Sequence, residues 1–109
     1  MNAPTSFAFI KADKKIIKIK FLDIATITGL GNYVQILMVD GHKHIYYKTL
    51  KKLIDNLPAE FMRIHNSCIV NLLNVESVED NHVRVGGADI AVGKSYRQCL
   101  AASLAKRML

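Results

Sequence analysis

The sequence predicts a mostly β domain of short antiparallel strands, with one short helix at about residues 50–57 and a helical C-terminal tail. Apolar and polar residues alternate in short runs, which is the pattern of half-buried strands. Pairs of turn-forming residues such as Asp40-Gly41 and Gly86-Gly87 separate these runs. Apolar residues fall at helical spacing in only two stretches, so strands dominate the expected fold.

The N-terminal third is predicted to form three strands. Residues 7–11 and 16–21 pair around a turn at 12–14, and residues 25–28 follow as a third short strand. In the second strand isoleucines alternate with lysines, which gives one buried and one basic face. Residues 29–32, Gly-Leu-Gly-Asn, are predicted to be a loop, because two glycines at that spacing interrupt a strand or a helix.

A hairpin and a later set of strands are predicted on either side of the short helix. Residues 33–39 and 43–47 flank Asp40-Gly41, a dipeptide suited to the primed turns of two-residue hairpins. The later strands are 61–71, 75–79, 83–85 and 89–92. The first of them is expected to bury Ile64, Ile69 and Val70 and to leave polar side chains at its ends or on its other face.

Two helices are predicted from apolar spacing and capping residues. The helix at 50–57 has apolar side chains at i, i+3, i+4 and i+7 behind Thr49, an acceptable N-cap, and a proline ends it. The tail is predicted to be helical from about Tyr96, since Ser95-x-x-Gln98 has the form of a capping box. Its apolar stripe is expected to contain Tyr96, Cys99, Leu100 and Leu104.

Composition narrows the class of protein and of partner. A chain of 109 residues, half of them hydrophobic, predicts one domain at residues 7–109 behind a lead or linker remnant at 1–6. Fifteen Lys and Arg against nine Asp and Glu give a net charge of +6, which favours nucleic acid or an anionic membrane surface. Neither a transmembrane run nor a signal peptide is visible, so we expect a cytoplasmic protein. Cys68 and Cys99 are expected to be buried thiols without a disulfide.

No set of residues in the sequence predicts catalysis or a cofactor. His65 and Ser67 can share one face of a strand, but Cys68 then points to the other face. Neither a Gly-x-Ser-x-Gly elbow nor a Gly-rich phosphate loop is present. His42 and His44 could share a face as a metal pair, but zinc needs at least one more ligand. They are better interpreted as solvated histidines beside a turn.

Several basic and amide residues lie where a nucleic acid could use them. Lys51 and Lys52 fall in the first turn of the predicted helix, where a bound phosphate would offset unfavourable charge. For each lysine individually, a solvated helix face is the better interpretation. Lys94 and Arg97 flank the start of the tail helix, where an anion could meet free N–H groups. Asn32, Asn66 and Lys94 are of the types that read bases and lie in loops or at strand ends.

Four blocks of this chain, in order, resemble the LytTR family, the β-rich DNA-binding domain of many bacterial response regulators. The central block is the segment from Phe61 to Asn71, with Arg63, His65 and Ser67 at the positions of the family signature. The other three blocks are Asp23 to Ile27 with Gly31 to Val34, then Thr49 to Lys51 with Leu57-Pro58, and finally Ile90 to Tyr96. The resemblance covers roughly residues 7 to 104.

The resemblance implies a stack of β-sheets whose loops at one end enter successive major grooves of DNA. The positions that match the family's base-contacting loops are Asn32, Tyr33, Asn66 and Lys94. We expect backbone contacts from the matching or neighbouring residues Arg63, His65, Ser67, Lys48, Lys51, Lys52 and Arg97.

Three positions depart from the pattern of the family that this chain resembles. Asn66 and Lys94 stand where many members carry Arg, and Gly93 replaces a common Ser. Asn favours adenine edges or a phosphate over guanine, and Lys is a point donor without a bidentate fork. The target sequence therefore does not carry over from the family.

We expect sequence-specific binding to double-stranded DNA in transcription regulation. The resemblance implies the output domain of a two-component response regulator, either excised from its receiver domain or acting as a stand-alone regulator. Paired repeat sites and two copies on one DNA, including a homodimer there, are expected, and a membrane partner is not. The alternatives are a β-rich protein-interaction module that presents a sheet edge and an RNA-binding domain that stacks bases on Tyr33, Tyr46 and Tyr47.

Overall fold

Ten strands in three antiparallel sheets dominate the computed structural model, which describes residues 6–109. The mostly β fold class is therefore confirmed, while residues 1–5 of the expected lead lie outside the described part of the chain. The elements in chain order are β1 Phe7–Ala12, β2 Lys15–Lys20, β3 Ile24–Leu30, β4 Tyr33–Met38, β5 Lys43–Tyr46, α1 Leu50–Ile54, β6 Phe61–His65, β7 Cys68–Asn71, β8 Val75–Glu79, β9 His82–Val85, β10 Ala88–Ala91 and α2 Arg97–Ala105. Short 3-10 turns occupy Phe21–Asp23, Leu72–Asn74 and Lys94–Tyr96. Within residues 6–109 no helix is long and apolar enough to cross a membrane.

The central sheet has five strands in the order β5-β4-β3-β7-β6, and every neighbouring pair is antiparallel. Antiparallel neighbours place the end of one strand beside the start of the next. The C-terminal ends of β3, β5 and β6 therefore lie at the same end of the sheet as the N-terminal ends of β4 and β7. The β3–β4 and β6–β7 connections and the segment leaving β5 all lie there.

Hydrophobic side chains pack on both faces of the central sheet. On one face Ile27 and Ile69 pack with the β1–β2 hairpin and α1. On the other face Ile64 and Val70 pack with side chains of β8–β10 and α2. A strand covered on both faces is apolar along its length, and all four residues of β7 are buried. The expected burial of Ile64, Ile69 and Val70 is confirmed, since each is 0% exposed.

Asn71, the last residue of the family-like segment, is a structural residue. Its side chain is 0% exposed. Its Nδ2 donates to the carbonyl oxygens of Phe21 at 2.8 Å and Ile24 at 2.9 Å, and its Oδ1 accepts from the backbone N–H of Leu73 at 3.1 Å. Asn71 therefore satisfies backbone groups at the start of β3 and at the turn after β7.

Two predicted segments differ from the structure because strand pairing overrides local signals. Gly29 and Leu30 belong to β3, so only Gly31-Asn32 forms the connection. The N–H of Gly29 donates to Ser67 O at 2.9 Å, and a Cβ at Gly29 would lie 3.0 Å from Leu50 Cδ1. Residues 61–71 form two strands rather than one, joined by a turn at Asn66-Ser67.

The two helices begin or end differently from the prediction. Helix α1 ends at Ile54 rather than at residue 57, although Thr49 is its N-cap and its side chain accepts from Lys52 N at 3.4 Å. In so short a helix Lys51 and Lys52 also form the last turn, so the macrodipole argument fails. The prediction of a capping box at Ser95 is wrong. A 3-10 turn precedes α2, and Tyr96 occupies the N-cap position without a side-chain hydrogen bond.

The β4–β5 hairpin and one cysteine also differ from the prediction. Gly41 N donates to Met38 O at 3.0 Å and Met38 N to His42 O at 2.8 Å, which makes a three-residue loop rather than a two-residue turn. Gly41 alone takes a positive φ of 95° there, as a bulged loop requires. Cys68 and Cys99 are free thiols; Cys68 is buried as expected, but Cys99 is exposed, because it lies on the solvent side of α2.

Candidate nucleic-acid interface

One end of the central sheet carries the residues expected to contact DNA. We define the loop end as the Gly31-Asn32 and Asn66-Ser67 turns, the segment 47–49 after β5, and the loop 92–96 before α2. The first three meet there because Thr28 pairs with Cys68 and Val34 with Tyr46. The fourth joins them through a hydrogen bond from Gly93 N to Ile64 O of 2.7 Å. No acidic residue occurs in these four segments.

A β-bulge in β6 attaches the loop before α2 to the sheet. Arg63 pairs with Ile69 and His65 with Cys68, so Ile64 is an extra residue without a partner on β7. An extra residue disrupts the ladder locally and bends the strand. The carbonyl oxygen of Ile64 is the group that accepts from Gly93 N. The bulge therefore fixes the position of Lys94, which is exposed in the next turn.

Three side chains of the family-like segment shape the β6–β7 turn. The guanidinium of Arg63, which is half-buried, donates from Nη2 to the carbonyl oxygen of Asn66 and from Nε to that of His65 at 3.4 Å. Nδ1 of His65 accepts from Ser67 N at 3.1 Å and lies 3.0 Å from Ser67 Oγ. A backbone N–H can only donate, so Nε2 is the ring nitrogen of His65 left to donate outward.

Asn66 is exposed at the tip of this turn and is held by a residue from the far end of the sequence. The hydroxyl of Tyr96 donates to Asn66 Oδ1 at 3.0 Å. The ring of Tyr96 lies against Gly93, where a Cβ would be only 3.0 Å from Cδ2 of the ring. The sequence does not predict the contact between Tyr96 and Asn66. By its spacing Tyr96 is expected in the apolar stripe of a helix, and the two residues are 30 positions apart in the chain.

The other edge of the loop end carries an aromatic pair and the remaining basic residues. Asn32 is exposed in its turn, and the ring centroid of Tyr33 lies 5.6 Å from that of Tyr47, which is 78% exposed. Lys48 Nζ lies 5.6 Å from the centroid of Tyr46. Lys51 and Lys52 are exposed on α1, whose first residue packs against β3 at this end, and Arg97 opens α2 with Nε donating to Val92 O at 3.2 Å.

The opposite end of the sheet has a different chemistry. Asp23, Asp40 and Glu60 lie there, in the segments that precede β3, β5 and β6. His42 donates from its backbone N–H to Asp40 at 2.9 Å, and this hydrogen bond together with the His42 ring lowers the pKa of the Asp40 carboxyl. Within residues 6–109 no three His, Cys, Asp or Glu side chains come together as metal ligands. The basic residues listed above thus lie at the end without these carboxylates.

The geometry beside His65 does not assemble a nucleophile with Cys68. Cys68 is 6% exposed, and burial raises the pKa of its thiol to about 11, against a smaller lowering by the hydroxyl of Thr28. A thiol with that pKa is protonated at neutral pH and is a poor nucleophile.

Comparisons with known proteins agree on one family. The family model of the LytTr DNA-binding domain matches residues 14–105. A solved structure of the LytTr DNA-binding domain of a Bacillus cereus protein, described as a methyl-accepting/DNA response regulator, superposes with a TM-score of 0.75 at 18% identity. The superposition covers 92% of this chain and 97% of that one, and at this identity it shows the fold. No curated protein matches the chain.

Proposed function

This chain belongs to the family of LytTR DNA-binding domains, and we propose that residues 7–109 bind double-stranded DNA at specific sequences through the loop end to regulate transcription. The main support for this proposal is the position of Asn32, Asn66 and Lys94. The strand order and the hydrogen bond from Gly93 to Ile64 bring them to one end of the central sheet. These are exposed side chains of the types that read base edges. The turns that present them contain no carboxylate to repel phosphate.

In this proposal four residues read bases, from two neighbouring turns and from the loop before α2. Asn32 and Tyr33 act from the β3–β4 turn, and Asn66 and Lys94 act from the β6–β7 turn and the loop fastened to it. Rigid presentation supports the assignment, because the Asn66 carbonyl oxygen accepts from Arg63. Gly93, the residue before Lys94, donates its backbone N–H to Ile64. A preorganised donor loses little conformational entropy on binding.

Contacts to phosphate belong to the basic side chains around these four residues. Lys48, Lys51, Lys52 and Arg97 supply charge that attracts any duplex and so carry no sequence information. Arg63, His65 and Ser67 first of all hold the β6–β7 turn in shape. Of these three, His65 keeps a free ring donor, Nε2, and is exposed, which suits a phosphate contact.

The biological setting follows from the family rather than from the geometry. We propose that the domain is the output unit of a two-component response regulator or a stand-alone cytoplasmic regulator. Two copies are expected to occupy paired repeats on one DNA. We expect neither catalysis nor a cofactor, because the loop end assembles hydrogen-bond donors and cations rather than a nucleophile with a base.

Selection of binding sites from random duplexes tests the proposal directly. The expected result is an enriched sequence that the protein binds far more tightly than scrambled DNA at the same salt concentration. Asn66→Ala with Lys94→Ala should abolish the enrichment. Asp40→Ala is the matched control at the opposite end of the sheet and should leave it unchanged. Equal affinity for selected and scrambled duplexes would contradict sequence-specific binding.

The pair of the half-buried Tyr33 and the exposed Tyr47 favours single-stranded RNA as a second candidate ligand. Aromatic side chains beside cations bind unpaired bases by stacking, at about 1–3 kcal/mol per base. Competition between the selected duplex and single-stranded RNA of the same length separates the two candidates. Preferential displacement by RNA, reversed in Tyr47→Ala, would favour the RNA-binding alternative over duplex DNA.

A further inference from the structure

The contact between Tyr96 and Asn66 joins two parts of the loop end, and other hydrogen bonds within the protein hold each of them in place. The guanidinium of Arg63 donates to the carbonyl oxygen of Asn66 and so holds the Asn66 backbone. Tyr96 follows Gly93, whose N–H donates to Ile64 O at 2.7 Å and whose carbonyl oxygen accepts from Tyr96 N at 2.8 Å. The 3.0 Å hydrogen bond between the two side chains therefore connects anchored partners.

The ring of Tyr96 has little freedom to move away from Asn66. It packs with the core cluster beneath α2, which includes Val92 and Leu100. On its other side Gly93 leaves room that a Cβ would occupy at 3.0 Å from Cδ2. The packed ring places its hydroxyl beside Asn66, and the hydroxyl donates its single hydrogen to Oδ1.

Donation to Oδ1 orients the Asn66 amide, because it takes one of the two lone pairs of this oxygen and directs the oxygen toward the protein. Oδ1 is turned toward Tyr96, so Nδ2 with its two hydrogens is the free group. The paired contact of Asn to adenine requires both halves: Oδ1 accepts from N6 while Nδ2 donates to N7. Guanine instead offers two adjacent acceptors, N7 and O6, in the major groove. The Nδ2 group alone can donate to both acceptors of guanine. On adenine it would meet the N6 amino group, which is also a donor.

We propose that Tyr96 is a specificity-determining residue that orients the Asn66 amide, so that this asparagine reads guanine rather than adenine. The inference rests on the proposed function, since it presumes that Asn66 meets a base edge. It reverses the expectation from residue type alone, by which asparagine favours adenine. Tyr96 is a positioning residue here, because it acts through Asn66 and not on DNA.

The test measures base preference and not only affinity. The position read by Asn66 is first located as the base pair at which Asn66→Ala loses its preference. Wild-type protein should bind guanine there more tightly than adenine, and Tyr96→Phe should lower that ratio about tenfold, the scale of one paired contact. The salt dependence of binding should not change, because no phosphate contact is lost.

Two further variants separate orientation from general damage to the domain. In an Asn66→Ala background Tyr96→Phe should have no additional effect on base preference, which a double-mutant cycle measures. Tyr46→Phe removes a tyrosine hydroxyl from edge strand β5 and is the matched control. Asn66→Asp keeps an acceptor for Tyr96 but removes the free donor, so the guanine preference should disappear.

The outcomes distinguish this inference from the proposed function. If the wild-type protein selects a sequence but prefers adenine at the Asn66 position, or if Tyr96→Phe leaves the ratio unchanged, the orientation by Tyr96 is wrong while DNA binding stands. If the wild-type protein selects no duplex at all, the proposed function fails and the inference fails with it.

Discussion

The backbone N–H of Gly93 donates to the carbonyl oxygen of Ile64 at 2.7 Å, and so the loop before α2 is fastened to the bulged residue of β6. This hydrogen bond brings Lys94 and Asn66, which are far apart in sequence, to neighbouring positions at the loop end. Lys94 follows the donor directly, and Asn66 lies two residues beyond the acceptor. Substitutions that disturb this junction should therefore act on DNA binding without unfolding the domain.

Gly93→Ala tests the junction. The φ of Gly93 is −59°, which alanine adopts freely, so the backbone is not strained. The new Cβ would lie 3.0 Å from Cδ2 of Tyr96, and the ring must shift. We expect a stability cost of about 1 kcal/mol and a clear loss of affinity for the selected duplex, measured by denaturant unfolding and by titration. Ser77→Ala, at an exposed residue of β8 outside the loop end, should change neither quantity. Equal affinity of both variants for DNA would contradict the role of the junction.

Asn71→Ala should destabilise the fold. The substitution removes three hydrogen bonds of a buried side chain, to Phe21 O, Ile24 O and Leu73 N. Phe21 O still accepts from Ile24 N, and Ile24 O still accepts from Asn74 Nδ2. Leu73 N is therefore the group that loses its partner. A polar group that loses its partner costs about 1–3 kcal/mol, so the free energy of unfolding should fall by about that amount. Asn32→Ala is the control, because Asn32 is exposed: it should leave unfolding within about 0.5 kcal/mol yet weaken specific DNA binding. A stable Asn71→Ala protein would show that these three hydrogen bonds are dispensable.

The thiol of Cys68 makes stability depend on alkaline pH. Burial raises its pKa from 9.0 to about 11, so above pH 9 the unfolded state loses this proton before the folded state does. The contribution of Cys68 is therefore constant below pH 9 and declines between pH 9 and about 11, by roughly 2–3 kcal/mol. Comparison of the wild-type protein with Cys68→Val isolates this part of the pH dependence. Identical pH profiles for the two proteins would contradict the raised pKa.

The two cysteines should also differ in reactivity toward a disulfide reagent at neutral pH. Cys99 is exposed and should react quickly, whereas Cys68 should react only after unfolding. The Cys99→Ser protein should therefore show almost no rapid labelling while folded. Rapid labelling of that variant would mean that the strand carrying Cys68 opens readily.

Local sequence signals were sufficient for two turns of the last sheet but not for the pairing between distant segments. Asp80-Asn81 and Gly86-Gly87 lie at the predicted positions, and all four residues take the positive φ values that primed turns require. The spacing of Gly29 and Gly31 predicts a loop that includes Gly29. In the fold Gly29 belongs to β3, where it pairs beside Ser67 and leaves space for Leu50.

The candidate site shows the same limit. Residue type and family resemblance predict Asn66 and Lys94 as base-contacting residues, but neither predicts that the hydroxyl of Tyr96 donates to Asn66. Tyr96 fits an amphipathic helix by spacing, and only tertiary packing brings it to Asn66. Arg63 likewise matches the family signature without indicating that its guanidinium binds the carbonyl oxygens of its own turn.

The last prediction separates base-reading residues from residues that only attract the DNA backbone. Lys94→Ala should cost about 1–3 kcal/mol on the selected duplex and flatten the preference at one or two base pairs. Lys51→Ala and Lys52→Ala should instead weaken binding to all duplexes alike, and each lost phosphate contact should reduce the slope of log affinity against log salt by about 0.9. The difference arises because a phosphate charge is the same at every base pair, whereas a base edge is not.

Affinities for matched and mismatched duplexes at several salt concentrations measure both quantities in one experiment. Lys43→Ala is the matched control, because this exposed lysine begins β5 at the opposite end of the sheet. It removes the same charge and should change neither the sequence preference nor the salt slope. If Lys94→Ala behaves like Lys51→Ala, with unchanged preference and a lower slope, then Lys94 contacts phosphate and the base-reading set reduces to the two turns. If Lys43→Ala also lowers the slope, the DNA contacts extend beyond the loop end.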